Sequence, residues 1–375
     1  MKVLLSGLVL IILLIIEGCI EKFTPEIHEI QYLPVVDGLI TNQPEVYTIR
    51  LYWSIPIREK TGVPMAGCNV TVHDDLGHVY KFTESSTPGT YNSDKTTFQG
   101  VVGRKYKLRI NTLNATPAHY SYESVPVEMK PVPPIDSLFY EKVLIKEATL
   151  YSPPQEGSQI YLNAYDPDGD CRFYRWDYAE TWKFQTPYMV ANQVCWISSN
   201  SKNIDVKNTS VLSKDRVIRH PVIFISNETD RLSERYSIIV NQYSLSENEF
   251  AYWEKIKNIS HDVGGLYDKI PSSIAGNLFC IEDPGEQVLG YFSVSAKVSK
   301  RIYVDETFRG LVNPYKECPA DTFPINSPIP GLDVYRWIIY ENPSRGIVVT
   351  TYDHSCADCT ARGTTTRPEF WEDFK

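Results

Sequence analysis

Methionine is scarce in this sequence, 4 among 375 residues, against 25 tyrosines and 25 prolines. That balance argues against a helical bundle and for strands and turns, since aromatic side chains suit a pleated sheet and proline presets turn geometry. Dense Lys/Arg runs are missing and the net charge is -9; phosphate backbones select basic patches, so nucleic acid is not expected as a partner. HExxH, GxSxG, P-loop and GxGxxG patterns are also missing, which removes the best-defined hydrolytic and nucleotide-binding chemistries and leaves no catalytic residue to nominate. The histidine–carboxylate neighbours His73-Asp74-Asp75 and Asp353-His354 read as turns. Beyond the first residues no long apolar run occurs, and the opening one, Val3 to Ile16, is short of the roughly 20 residues that span a bilayer.

What that opening does contain is the layout of a secretory signal: one positive charge at Lys2, then the uncharged stretch to Ile16. Ile16-Glu17-Gly18-Cys19 follows, which resembles the lipobox of bacterial lipoproteins, with Glu17 a departure at a position that is usually small or uncharged. Residues 1–18 are therefore expected to be a lipoprotein signal peptide, Cys19 the lipidated residue, and 19–31 a solvated tether. Acyl chains contribute about 0.8 kcal/mol per buried methylene, so two or three of them on Cys19 would anchor the protein without help from its folded part.

Export also sets expectations for the remaining cysteines. Of the eight, Cys19 is taken by lipid, and an odd set is left: Cys68, Cys171, Cys195, Cys280, Cys318, Cys356 and Cys359. Cys68, alone in the N-terminal third, is the expected free thiol. The other six are disulfide candidates, because an oxidising compartment favours pairing, and spacing does not choose among their 15 possible connectivities. Cys356-Ala357-Asp358-Cys359 has redox or zinc spacing, but Thr360 to Thr366 is a poor helix former, so structural disulfides are the preferred reading.

Period-2 runs recur from residue 32 onward. Tyr47, Ile49, Leu51 and Trp53 share one face, Val70 to Phe82 reads as a hairpin, and Tyr106, Leu108 and Ile110 point one way. An Ig-like or transthyretin-like β-sandwich is expected over 32–130. Prolines 126, 131, 133 and 134 mark an extended connector, and 131–375 is expected to be a larger β-rich, disulfide-bonded domain with one amphipathic helix. That helix begins at Ser246-Glu247-Asn248-Glu249, a capping box, carries Phe250, Trp253 and Ile256 on its apolar stripe, and stops at Gly264-Gly265.

Two candidate sites emerge. Asp166, Asp168 and Asp170 alternate in Asp166-Pro167-Asp168-Gly169-Asp170, an oxygen-rich loop of the kind that holds Ca²⁺, although the same residues make a good hairpin turn, which is the preferred reading. Trp176 and Trp182, in one row with Tyr174 and Tyr178, would form an aromatic ligand platform if exposed; aromatics at period 2 more often face a sheet core.

Several segments, in order along the chain, resemble one family: Val35-Val36-Asp37-Gly38-Leu39-Ile40-Thr41-Asn42, Ala66 to Val72, Pro134 to Leu138, Phe173-Tyr174-Arg175-Trp176, Gly276-Asn277-Leu278, Val288 to Phe292, Cys356 to Thr360 and Arg367 to Trp371. On these the chain is similar to the domain of unknown function 4249 family of exported Bacteroidota lipoproteins. The resemblance implies an outer-membrane location, periplasmic or surface-exposed, and association with TonB-dependent outer-membrane receptors. It carries over no catalytic residues. A non-enzymatic accessory lipoprotein beside such a transporter is the expected function, ahead of a structural or adhesive envelope protein and of a secreted hydrolase.

Overall fold

The computed structural model describes residues 32–55, 62–112, 120–262, 274–311 and 318–372. The signal peptide, Cys19, the tether and the Gly264-Gly265 stop lie outside the described residues. The described chain is mainly β, arranged in several sheets, as expected.

In the first unit the alternating runs become β1 (Pro34–Ile40), β2 (Thr48–Trp53), β3 (Val63–Pro64), β4 (Asn69–Asp74), β5 (Val79–Glu84), β6 (Thr90–Asn92), β7 (Lys105–Asn111), β8 (Ser121–Ser124) and β9 (Val127–Glu128). Ile49, Leu51 and Trp53 are buried, and so are Tyr106, Leu108 and Ile110, because successive side chains of a strand point to opposite faces. The sheet turns a corner at β5, whose residues Val79 to Phe82 pair with β4 and whose last residues, Thr83 and Glu84, pair with β6. It thereby closes over one core, in which the Phe98 ring meets Tyr47, Tyr80, Phe82 and Tyr106.

The chain then builds a second unit from β10 (Ile135–Lys146), β11 (Gln155–Asp166), β12 (Phe173–Gln185), β13 (Val194–Asn200), β14 (Asp205–Asn208), β15 (Asp215–Ser226), β16 (Tyr236–Ser244) and the helix α1 (Glu247–Asp262). It next returns to the first unit with β17 (Leu278–Cys280), which pairs with β8, and β18 (Leu289–Val294), which runs parallel to β1, before β19 (Lys297–Val304) rejoins the second. Segment 131–375 thus supplies two strands of the sheet begun by 32–130. Glycine makes this return possible: Gly290 has φ +84°, and a Cβ there would collide with the Val36 carbonyl, while one at Gly276 would collide with the carbonyl of Gly290. Between them Asn277 clamps β18, donating to the Phe292 carbonyl and accepting its amide, both at 2.9 Å.

In the second unit a three-stranded sheet, β10-β11-β15, faces the sheet β13-β12-β16-β19, with β14 also on β12. Ile160, Leu162 and Val217 from one sheet share a core with Tyr174, Trp176, Ile238 and Val240 from the other. Helix α1 covers the junction of the two units. Phe250 is buried with Tyr243 and Leu245, and Leu39 of the first unit packs against that cluster. Ser246 caps the helix, its hydroxyl accepting from the Glu249 amide at 3.2 Å. Glu249 does not complete the capping box; it turns inward, fully buried, and accepts from the Trp253 indole at 3.3 Å.

A fourth sheet of β20 (Ala320–Pro324), β21 (Trp337–Asn342) and β22 (Ile347–Thr351), order β20-β22-β21, precedes the single-turn helix α2 (His354–Ala357). Two disulfides hold it: Cys195–Cys359 ties it to β13, and Cys318–Cys356 closes it internally.

Candidate functional site

Strand β12 places alternate residues on opposite faces. Tyr174 and Trp176 enter the core, which turns Arg175 and Asp177 toward α1 and β14. Arg175 lies directly opposite Tyr243 on β16, and its guanidinium sits 4.8 Å from the Tyr243 ring centre and 4.9 Å from that of Trp253 on α1. Cation–π attraction to both rings holds the guanidinium. Its Nε is buried without a hydrogen-bond partner. Among the described residues no carboxylate lies within ion-pair distance of Arg175 or of the neighbouring Lys202; Arg219, Arg231 and Arg235 of the same unit are paired, and Arg172, Arg216 and Arg301 are not.

A cleft of about 160 Å³ opens beside this guanidinium, lined by Arg175, Trp176, Asp177, residues 201–205 and Trp253. The carboxylates at its edge are engaged: Asp205 takes the His220 Nε2 at 2.8 Å, and Asp177 takes the Asn241 amide at 2.6 Å. The cations therefore have donors to spare, and each carboxylate keeps lone pairs beyond that partner. A larger hollow of about 330 Å³ over β10, β11 and β15 is lined by Asn163, which bonds to Ser137 and to the Arg219 amide, and by Arg216, whose guanidinium lies 4.8 Å from the Tyr165 ring centre.

The two sites nominated from sequence take other roles. Trp176 and Trp182 form no platform; they are 1% and 9% exposed, inside the sandwich, where the Trp176 indole donates to Gln242 Oε1 at 2.9 Å and its ring stacks on Tyr174. Their row faces the opposing sheet, so alternation buried it. Asp166, Asp168 and Asp170 do not converge: Asp166 closes the β11–β12 turn by accepting the amides of Asp168 and Cys171, and Gly169 adopts φ +71°. Among the described residues the one His/Cys/Asp/Glu group close enough for a metal is Cys318, Asp353 and Cys356, and its two sulfurs are bonded to each other.

Of the six disulfide candidates, Cys195, Cys318, Cys356 and Cys359 pair, and neither cysteine of the CxxC motif bonds to the other. Cys171 and Cys280 stay reduced because they stand in separate cores, the second unit's and the first unit's. Cys68 is free, as expected. Burial pushes the Cys68 thiol up to about 11 and Cys171 up to about 12, so neither is a thiolate at neutral pH.

Arg175 and Trp253 were not singled out as a site by the sequence. The available signal was parity: in Phe173-Tyr174-Arg175-Trp176 a lone cation stands among aromatics on the face opposite the core row.

The chain belongs to the family described as Domain of unknown function (DUF4249), whose model matches residues 20–301. The match takes in the first unit and most of the second, and ends before the fourth sheet. No curated protein matches the chain. No helix among the described residues is long and apolar enough to cross a membrane.

Proposed function

We propose that this protein is a non-enzymatic lipoprotein of the outer membrane, anchored through acyl chains on Cys19, that captures a ligand beside a TonB-dependent transporter. The observation that carries the capture reading is the Arg175 guanidinium, fixed by two rings beside a cleft and without an ion-pair partner. A fixed donor set loses little freedom on binding, which favours recognition. The lipobox supports the anchor, and the family resemblance supports the transporter.

Two experiments test it. The Cys19→Ser variant is expected to leave the membrane fraction and to lose labelled fatty acid; retention of both would refute the anchor. Mild solubilisation of outer membranes is expected to bring down a TonB-dependent receptor with the protein. The adhesive alternative draws on Val334, Tyr335, Tyr340 and Tyr352, exposed around the fourth sheet, and gains if no receptor accompanies it.

A further inference from the structure

We propose that the Arg175 cleft takes the carboxylate of an acidic sugar, a hexuronate unit of a glycan. This rests on the ligand-capture part of the proposed function and adds the chemical class of the ligand. Three features of the cleft select it.

The first is the guanidinium. A planar fork matches a carboxylate with two parallel hydrogen bonds, and Arg175 is already held by cation–π contact with both Tyr243 and Trp253. Lys202, at the exposed rim, adds a second positive charge.

The second is the company these cations keep. Asp177 and Asp205 line the same cleft. A phosphate with nearly two negative charges would meet both, whereas a carboxylate brings one, and the hydroxyls of a sugar donate well to carboxylate oxygens. Trp253, an aromatic ring beside the polar groups, supplies the apolar contact that the C–H face of a sugar ring needs.

The third is size. At about 160 Å³ the cleft falls below the roughly 300–1,000 Å³ of sites that enclose drug-sized ligands, so it fits one acidic unit while the rest of a chain stays outside.

The test uses the purified protein with three probes, galacturonic acid, galactose and inorganic phosphate, followed by calorimetry and tryptophan fluorescence. Galacturonic acid is expected to bind saturably, and about ten-fold or more tighter than either other probe, as a charge-assisted bidentate contact requires. Arg175→Gln is expected to lose that ten-fold, Arg175→Lys to retain part of it, and Arg219→Gln, on the far sheet, to change nothing. Should Arg175→Gln fail to fold, Lys202→Gln at the exposed rim is expected to weaken galacturonate binding measurably and to flatten its salt dependence; an unchanged affinity would count against the site. Equal or tighter binding of phosphate or galactose overturns the acidic-sugar assignment, and so does absence of binding. Receptor co-purification reads the capture reading separately, so a failure of one is distinguishable from a failure of the other.

Discussion

Replacing Glu249 by glutamine should stabilise the protein, and by an amount that grows with pH. Glu249 is fully buried where α1 meets both units, and its Oε2 has no hydrogen bond of ordinary geometry. Burial raises its pKa above the ordinary 4.5, against the opposing pull of Arg175, Ser293 and Trp253. The sign follows from proton linkage. A carboxyl that holds its proton more tightly folded than unfolded contributes stability that is complete below pH 4.5 and is lost as pH rises through the folded value. Over that window the wild type loses up to about 1.4 kcal/mol per pH unit from this one group. Glutamine keeps an oxygen for the Trp253 indole and does not ionise, so its advantage should be near zero at pH 4 and reach about 1–3 kcal/mol at pH 8, the cost of an unsatisfied buried polar group. Urea unfolding of both proteins at pH 4, 6 and 8 measures it. A difference independent of pH, or a glutamine variant less stable at pH 8, would refute the reasoning.

The remaining predictions concern parts whose roles the structure assigns to stability. Removing Cys195–Cys359, which closes 164 residues, by a double serine variant should cost about 5 kcal/mol, and removing Cys318–Cys356, which closes 38, about 4 kcal/mol, both read by denaturant midpoint; no change on either would mean the fourth sheet is held by packing alone. Trp176→Ala should cost about 3–5 kcal/mol as a core cavity, read by denaturant midpoint, and a variant as stable as the wild type would refute the core assignment. Asp74 is held down to about 2 because hydrogen bonds from His78, Leu76 and Tyr80 outweigh its desolvation. Its stabilisation is present above pH 3.8 and lost as pH falls through about 2. Asp74→Asn should therefore cost about 1–3 kcal/mol at pH 7 and progressively less in acid, in thermal melts across that range.

Local alternation was legible in the sequence wherever one face of a strand is buried. Tyr106, Leu108 and Ile110 pointed inward as their period requires, and Ser246 capped the helix its position announced. Partners distant along the chain were not legible. Nothing in Val288 to Phe292 tells that it will run beside Val35 to Gly38, since a parallel pair is set by the rest of the fold and not by a hairpin turn. The same limit governed the cysteines: Cys171 and Cys280 looked available for pairing until two separate cores divided them. At the site, the aromatic row drew attention to Trp176, and the functional reading passed to Arg175, one residue away on the other face. Its second ring, Trp253, arrives from a helix 78 residues on, which no local pattern encodes.

The parallel pairing of β1 and β18 also has a mechanical meaning. Any load applied ahead of Pro34 enters the molecule through the start of β1, and the far end of β18 continues through Ser295 and Ala296 into β19 of the second unit. Parallel strands pulled from these opposite ends are loaded in shear, so the whole row of bonds from Val35–Leu289 to Ile40–Val294 must yield together and cannot unzip one at a time. The junction of the two units is thus built as a lap joint, able to transmit tension from the N-terminal end of the chain to the unit that carries the Arg175 cleft.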